Sequence, residues 1–125
     1  MKRKFTITGI ITLFVFLLFS FNGFANKTSV KIIAPEKADK GTEITIQIEV
    51  SHKGNSSGHH TDWVLVKING EEFKKWEYAK DKLPKDQNFV IEFKVKAEAN
   101  MEIVATGHCN RHGSKNEEKT SIIVK

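Results

Sequence analysis

The chain contains one cysteine among its 125 residues, so it can form no internal disulfide bond. It also shows no convincing amphipathic helix, no internal repeat and no stretch typical of an interdomain linker. These absences argue against a disulfide-stabilised scaffold, a repeat array and a two-domain architecture. A chain of this length instead suits one small globular domain.

Residues 1–25 contain no acidic residue and begin with the basic cluster Lys2-Arg3-Lys4. An apolar run from Phe5 to Phe21 follows, and Gly23 and Ala25 place small residues at both positions that determine cleavage. These features predict a secretory signal peptide over residues 1–25 and an exported protein, periplasmic or extracellular. An uncleaved membrane anchor is the alternative, although the run is at the short end for spanning a bilayer.

The basic character of the whole chain comes largely from this N-terminal segment. The 20 basic and 15 acidic residues give a net charge of +5. Residues 1–25 carry three of the basic residues and none of the acidic ones, so residues 26–125 have a net charge of +2. This charge is too small for a basic footprint, and the sequence therefore predicts no nucleic-acid binding.

Residues 26–125 are expected to form strands, because polar and apolar residues alternate in them with a period of two. Asn69-Gly70 favours a type I′ hairpin, since both central positions of that turn need positive φ. The predicted strands are Val30–Ile33, Glu43–Val50, Trp63–Ile68, Glu71–Trp76, Phe89–Val95, Met101–Thr106 and Thr120–Val124. They predict an all-β, immunoglobulin-like β-sandwich of about seven strands, a fold that by itself specifies no function.

The five histidines fall in two segments that are expected to be loops. Three lie in the polar, Gly- and Ser-rich segment 51–60, and His108 and His112 flank Cys109 after a predicted strand. One thiolate with several imidazoles suits zinc, copper or iron, whereas harder ions prefer carboxylates. Cys-x-x-His alone is a short motif, and a buried cysteine beside exposed histidines is its simpler interpretation. Adjacent ends of a sandwich can bring the two loops together, which favours a metal site.

The segment Cys109-Asn110-Arg111-His112-Gly113 resembles the Cys-Asn-x-His-Gly motif of superoxide reductases, the desulfoferrodoxin/neelaredoxin family. In that family a histidine is followed by a second one and, shortly after, by a tryptophan, an order that His52, His59 and Trp63 match. Pro35-Glu36-Lys37 is similar to part of the family's opening stretch. The resemblance covers essentially all of residues 26–125.

The resemblance implies a desulfoferrodoxin-like iron-binding β-sandwich domain over residues 26–125, with one mononuclear non-haem iron. The ligands carried over by position are His52, His59, Cys109 and His112. Lys27 takes the position of the family's catalytic lysine, which attracts the superoxide anion. The implied activity is reduction of superoxide to hydrogen peroxide with an electron from an external donor protein, and the resemblance allows a homo-oligomer. A second iron domain would need four more cysteines.

Several positions depart from the family pattern. The family's first histidine falls on Thr28, so the ligand set is one imidazole short, and the glutamate before the lysine falls on Asn26. Three imidazoles and one thiolate come closer to the tetrahedral preference of zinc, or to a copper site, so neither metal is excluded. His60 and His108 are expected to point away from the metal, since neighbours in a strand face opposite sides. The alternative function is a non-catalytic metal-binding or sulfur-carrier-type interaction module on the same fold.

Overall fold

The computed structural model describes residues 27–125. This part of the chain forms eight strands: β1 Ser29–Ile33, β2 Lys37–Ala38, β3 Glu43–Ser51, β4 Thr61–Ile68, β5 Glu71–Glu77, β6 Asn88–Lys96, β7 Met101–Cys109 and β8 Glu117–Val124. The same residues contain no helix that is long and apolar enough to cross a membrane. The signal peptide predicted over residues 1–25 lies outside the described residues.

The strands form two sheets that pack as a sandwich. One sheet has three strands in the order β1-β3-β6, and the other has five in the order β2-β8-β7-β4-β5. The predicted all-β sandwich is confirmed, with eight strands in place of about seven. The additional strand, β2, pairs in parallel with β8 and consists of two residues. Such a short strand cannot show a period of two in the sequence.

The core lies between the two sheets and is supplied by the alternation of the strands. In β3, Ile46, Ile48 and Val50 are fully buried. Ile103 and Ala105 of β7 face them from the other sheet and are equally buried. Full burial of one such branched side chain stabilises the fold by about 1.5–3 kcal/mol, so this interior holds the two sheets together.

The predicted hairpin turn joins β4 and β5. Both of its central residues have positive φ, 52° at Asn69 and 83° at Gly70, as a type I′ turn demands. The Asn69 side-chain oxygen also accepts a hydrogen bond from the backbone N–H of Glu102 at 2.9 Å. This turn closes the end of β4 that is farther from Thr61.

The opposite end of the sandwich gathers the segments that carry the histidines. Strand β3 ends at Ser51, immediately before His52, and β7 ends at Cys109. Thr61, the first residue of β4, pairs with Cys109 in the antiparallel β4–β7 ladder. The loop before β4 and the loop after β7 therefore leave the sheets side by side.

Gly107 lets the N-terminal strand approach β7 closely. A Cβ atom at this position would lie 2.7 Å from Thr28 Cγ2 and 2.9 Å from Val30 Cγ1, closer than packed carbon atoms come. The missing side chain therefore allows the segment that begins with Lys27 to lie against the end of β7, near Cys109.

Candidate metal centre

The loop after β7 is a tight turn that brings Cys109 and His112 together. The backbone N–H of Cys109 donates to the Gly113 carbonyl at 2.9 Å, and the Gly113 N–H donates back to the Cys109 carbonyl at 3.0 Å. Gly113 has a φ of 78°, a conformation that glycine adopts without strain. The closed turn places Cys109 Sγ 3.8 Å from His112 Nδ1.

The loop before β4 is organised by Asn55. Its side-chain oxygen accepts hydrogen bonds from His52 Nδ1 at 3.0 Å and from the Thr61 backbone N–H at 2.9 Å. Its side-chain nitrogen donates to the Asp86 carbonyl at 2.8 Å, which fixes the orientation of the amide. Because the amide oxygen only accepts, His52 carries its proton on Nδ1 and its lone pair on Nε2. Metal-binding histidines are oriented by this kind of hydrogen bond.

Asn110 and Arg111 fasten the two loops to each other. The Asn110 backbone N–H donates to the His60 carbonyl at 3.0 Å, and the Asn110 side-chain oxygen accepts from the His60 N–H at 2.9 Å. The Gly58 carbonyl accepts from the side chains of both Asn110 and Arg111. These hydrogen bonds set the separation of the two loops, and with it the distance between their histidines.

The four residues predicted as ligands lie where these loops meet. One donor atom each from His52, His59 and Cys109 lies within 4.8 Å of the others. His112 Nδ1 lies 3.0 Å from His59 Nε2, and the two imidazole rings are 4.8 Å apart in an edge-to-face arrangement. Donor atoms that bind one ion at about 2.0–2.3 Å lie roughly 3–4.5 Å from one another. His52, His59 and Cys109 therefore fit a single metal ion, and His112 adjoins this group through Cys109 and His59. We call these four residues the His/Cys cluster, and its soft donor set suits iron, zinc or copper.

Exposure differs across the His/Cys cluster. Cys109 is fully buried and His52 almost so, whereas His59 is half-buried and His112 is exposed. The thiol side of the cluster is thus shielded by the sandwich, and the imidazole side faces solvent. A small solute can reach the cluster from the side of His59 and His112.

The two remaining histidines make other contacts. His60 is buried, and its Nδ1 lies 3.0 Å from the Ser56 carbonyl. His108 Nδ1 lies 2.7 Å from the Asp62 carboxylate, and its ring stacks on Trp63 with centroids 4.8 Å apart. Both therefore make contacts outside the His/Cys cluster. For His108, in β7, this agrees with the alternation of neighbouring side chains, whereas His60 lies in the loop before β4, where strand alternation does not apply.

Thr28 occupies the position where the resemblance would place a fourth histidine. It is fully buried, and its hydroxyl lies 3.0 Å from the hydroxyl of Thr61. Its backbone N–H donates to the Gly113 carbonyl at 3.3 Å, and its carbonyl accepts from the Lys115 N–H at 2.8 Å. The N-terminal segment therefore does lie along the loop of Cys109, but Thr28 offers a hydroxyl that is already hydrogen-bonded. Lys27 is half-buried and shares a recess with His52.

The sequence profile of the family described as Desulfoferrodoxin matches residues 22–118. The chain belongs to the desulfoferrodoxin family. Its fold is that of the superoxide reductases: a variant of the superoxide reductase (neelaredoxin) from Ignicoccus hospitalis is 21% identical, with a TM-score of 0.67 over 81% of this chain and 83% of that one. The chain has no significant match among curated protein sequences.

Proteins outside the superoxide reductases share this fold. The CARDB domain of a Pyrococcus furiosus protein, in complex with di-metal ions, is 19% identical with a TM-score of 0.62, over 78% of this chain and 87% of that one. The sulfur carrier protein SoxY from Chlorobium limicola f thiosulfatophilum is 12% identical with a TM-score of 0.57, over 87% and 96%. At these identities the likeness concerns the fold alone, so function must be argued from the site.

Alanine substitutions should distinguish the histidines that are predicted as ligands from the other histidines. We expect His52→Ala and His59→Ala to weaken metal binding by more than the roughly 10–100-fold that loss of a neighbouring hydrogen-bonding group causes. His108→Ala is the matched control, because His108 lies beside Cys109 in sequence but bonds to Asp62. Competition against a chelator of known affinity measures all three. Equal losses in the three variants would show that the histidines are not divided in this way.

Proposed function

We propose that this protein is an exported non-haem iron protein that reduces superoxide to hydrogen peroxide at the His/Cys cluster. The observation that carries the proposal is the convergence of His52, His59 and Cys109 within 4.8 Å, with His112 adjoining them, in a chain of the desulfoferrodoxin family. The superoxide reductase fold supports it.

The reaction consumes one superoxide, one electron and two protons for each hydrogen peroxide formed. Iron held by His52, His59 and Cys109, with His112 adjoining, would supply the one-electron chemistry on a small anion. The electron comes from an external donor protein, because the chain lacks the four further cysteines that a second iron site would need. The protons come from solvent, which reaches the cluster on the side of His59 and His112.

The residues around the cluster orient its ligands and attract the substrate. Asn55 holds His52 in the tautomer whose lone pair is on Nε2. The hydrogen bonds between Cys109 and Gly113 join backbone atoms, so they position the Cys109 side chain and leave its sulfur available to bind a metal. Lys27 contributes a positive charge next to His52, and this charge attracts the superoxide anion.

Export by the segment of residues 1–25 is part of the proposal. The basic start, the apolar run and the small residues at the cleavage positions support a periplasmic or extracellular location. In an oxidising compartment an exposed thiolate is readily oxidised. Burial of Cys109 within the metal site would protect it.

The presence of Thr28 where the family has a histidine favours a second candidate function. With three imidazoles and one thiolate, the cluster also suits four-coordinate zinc or copper. The protein would then be a non-catalytic metal-binding or sulfur-carrier-type module, and its likeness in fold to the CARDB domain and to SoxY is compatible with this.

Metal analysis and product stoichiometry together test the proposed function. We expect the purified protein to contain iron, to show a charge-transfer band from thiolate to ferric iron when oxidised, and to form one hydrogen peroxide per superoxide consumed in the presence of an electron donor. Dismutation would form one peroxide per two superoxides, so the ratio identifies reduction. Colourless protein that contains zinc or no metal, and that consumes no superoxide, would instead support the binding module.

A further inference from the structure

A polar recess of about 240 Å³ lies beside His52, at the end of the three-stranded sheet. Its floor is one row of residues across the sheet: Ser29 pairs with Ser51, and Ser51 pairs with Asn88. Residues paired directly across strands share a face of the sheet. The row therefore brings the Ser51 hydroxyl and the Asn88 amide into the recess as hydrogen-bond donors, whereas the Ser29 hydroxyl donates to the Ser51 carbonyl at 3.5 Å.

Three lysines, Lys27, Lys53 and Lys115, also line the recess. Main-chain hydrogen bonds hold the backbone beside each of them. The Lys115 N–H donates to the Thr28 carbonyl at 2.8 Å, which fixes Lys115 next to the residue that follows Lys27. The N–H of His52, which precedes Lys53, donates to the Gln87 carbonyl at 2.9 Å. The three ammonium groups thus extend from a backbone that is already ordered.

The recess carries an excess of positive charge. No Asp or Glu of residues 27–125 lines it. Lys53 and Lys115 form no ion pair with a carboxylate in this part of the chain, whereas Lys75, Lys94 and Lys96 each pair with a glutamate. A concave surface lined by charges of one sign concentrates ions of the opposite sign.

We propose that this recess binds a small inorganic dianion, a tetrahedral oxyanion of the phosphate or sulfate class. At about 240 Å³ the recess has room for a polyatomic anion. Lysine ammonium groups and neutral donors together match the several acceptor oxygens of such a dianion. The binding requires no metal and is independent of the proposed reduction. Where that reduction does occur, the dianion competes with superoxide for the charge of Lys27.

Isothermal titration calorimetry of the purified protein with inorganic phosphate, and separately with sulfate, tests the proposal at constant ionic strength. We expect saturable binding of one anion per chain. The double variant Lys53→Gln/Lys115→Gln should bind at least about tenfold more weakly, because two charge-assisted contacts are lost. Lys119→Gln is the matched control: Lys119 is an exposed lysine on β8 that does not line the recess, and its removal should change the affinity by less than about twofold.

Amide chemical shifts locate the anion independently of the variants. Phosphate should shift the backbone amide signals of Ser29, Ser51 and Asn88. Three results would overturn the proposal: no saturable binding, equal weakening by Lys119→Gln, or shifts confined to His59 and His112. The last result would place the anion at the metal cluster, and none of the three bears on whether the protein reduces superoxide.

Discussion

Replacing Cys109 with serine should abolish metal binding and leave the sandwich folded. Cys109 is the chain's only thiol, and it lies 3.8 Å from His112 at the buried side of the cluster. A serine hydroxyl keeps its proton at neutral pH and is a poor donor to iron, zinc or copper compared with a thiolate. We expect the metal content per chain to fall to background in elemental analysis, and the charge-transfer band to disappear.

Folding should survive this substitution because the turn does not depend on the sulfur. The two hydrogen bonds between Cys109 and Gly113 join backbone atoms. A hydroxyl buried there without a partner costs about 1–3 kcal/mol, which thermal unfolding followed by circular dichroism can measure. His108→Ala, in the same strand, is the control that should keep its metal. Stoichiometric metal and an unchanged spectrum in the serine variant would show that the thiol is not a ligand.

Much of the fold could be predicted because polar and apolar residues alternate along most of the strands. Strand β3 extends one residue past the predicted Glu43–Val50, and the Asn69-Gly70 turn is as expected. Strand β7 differs more: the apolar alternation stops at Thr106, but backbone pairing with β4 continues to Cys109. Ladder hydrogen bonds form between backbone groups whatever the side chains are, so the pattern could not show that Cys109 ends a strand.

The site could be predicted in part. Motif spacing singled out the residues that converge, and strand alternation separated His108 from them. The role of Asn55 left no signal, because it depends on the Asp86 carbonyl, 31 residues farther along the chain. The contact of His108 with Asp62 was missed for the same reason, since it joins two strands that are neighbours only in the folded sheet. Contacts of this kind arise from tertiary packing and leave no local pattern.

Thr28→His should tighten metal binding while lowering the stability of the metal-free protein. The backbone of Thr28 is hydrogen-bonded to Gly113 in the loop of the ligands, so an imidazole there can complete a four-histidine set. The site is fully buried and packs against Gly107, and overpacking of this kind typically costs about 1–3 kcal/mol. Metal that binds the folded state more tightly offsets this cost. The melting temperature should therefore fall without metal and recover when metal is added, and the ligand-field and charge-transfer bands should shift.

Thr28→Val is the matched control for this experiment, because valine has the shape of threonine but lacks the hydroxyl. It removes the hydrogen bond to Thr61, which should destabilise the fold by about 1–3 kcal/mol, and it should leave the metal affinity unchanged. A gain specific to the histidine variant, accompanied by faster superoxide reduction, would show that this segment reaches the metal. If Thr28→His bound metal no more tightly than Thr28→Val and its spectrum were unaltered, the side chain at this position would not face the metal. The position assigned to Lys27 beside the substrate would then lose its support, and the non-catalytic metal-binding module would become the better interpretation.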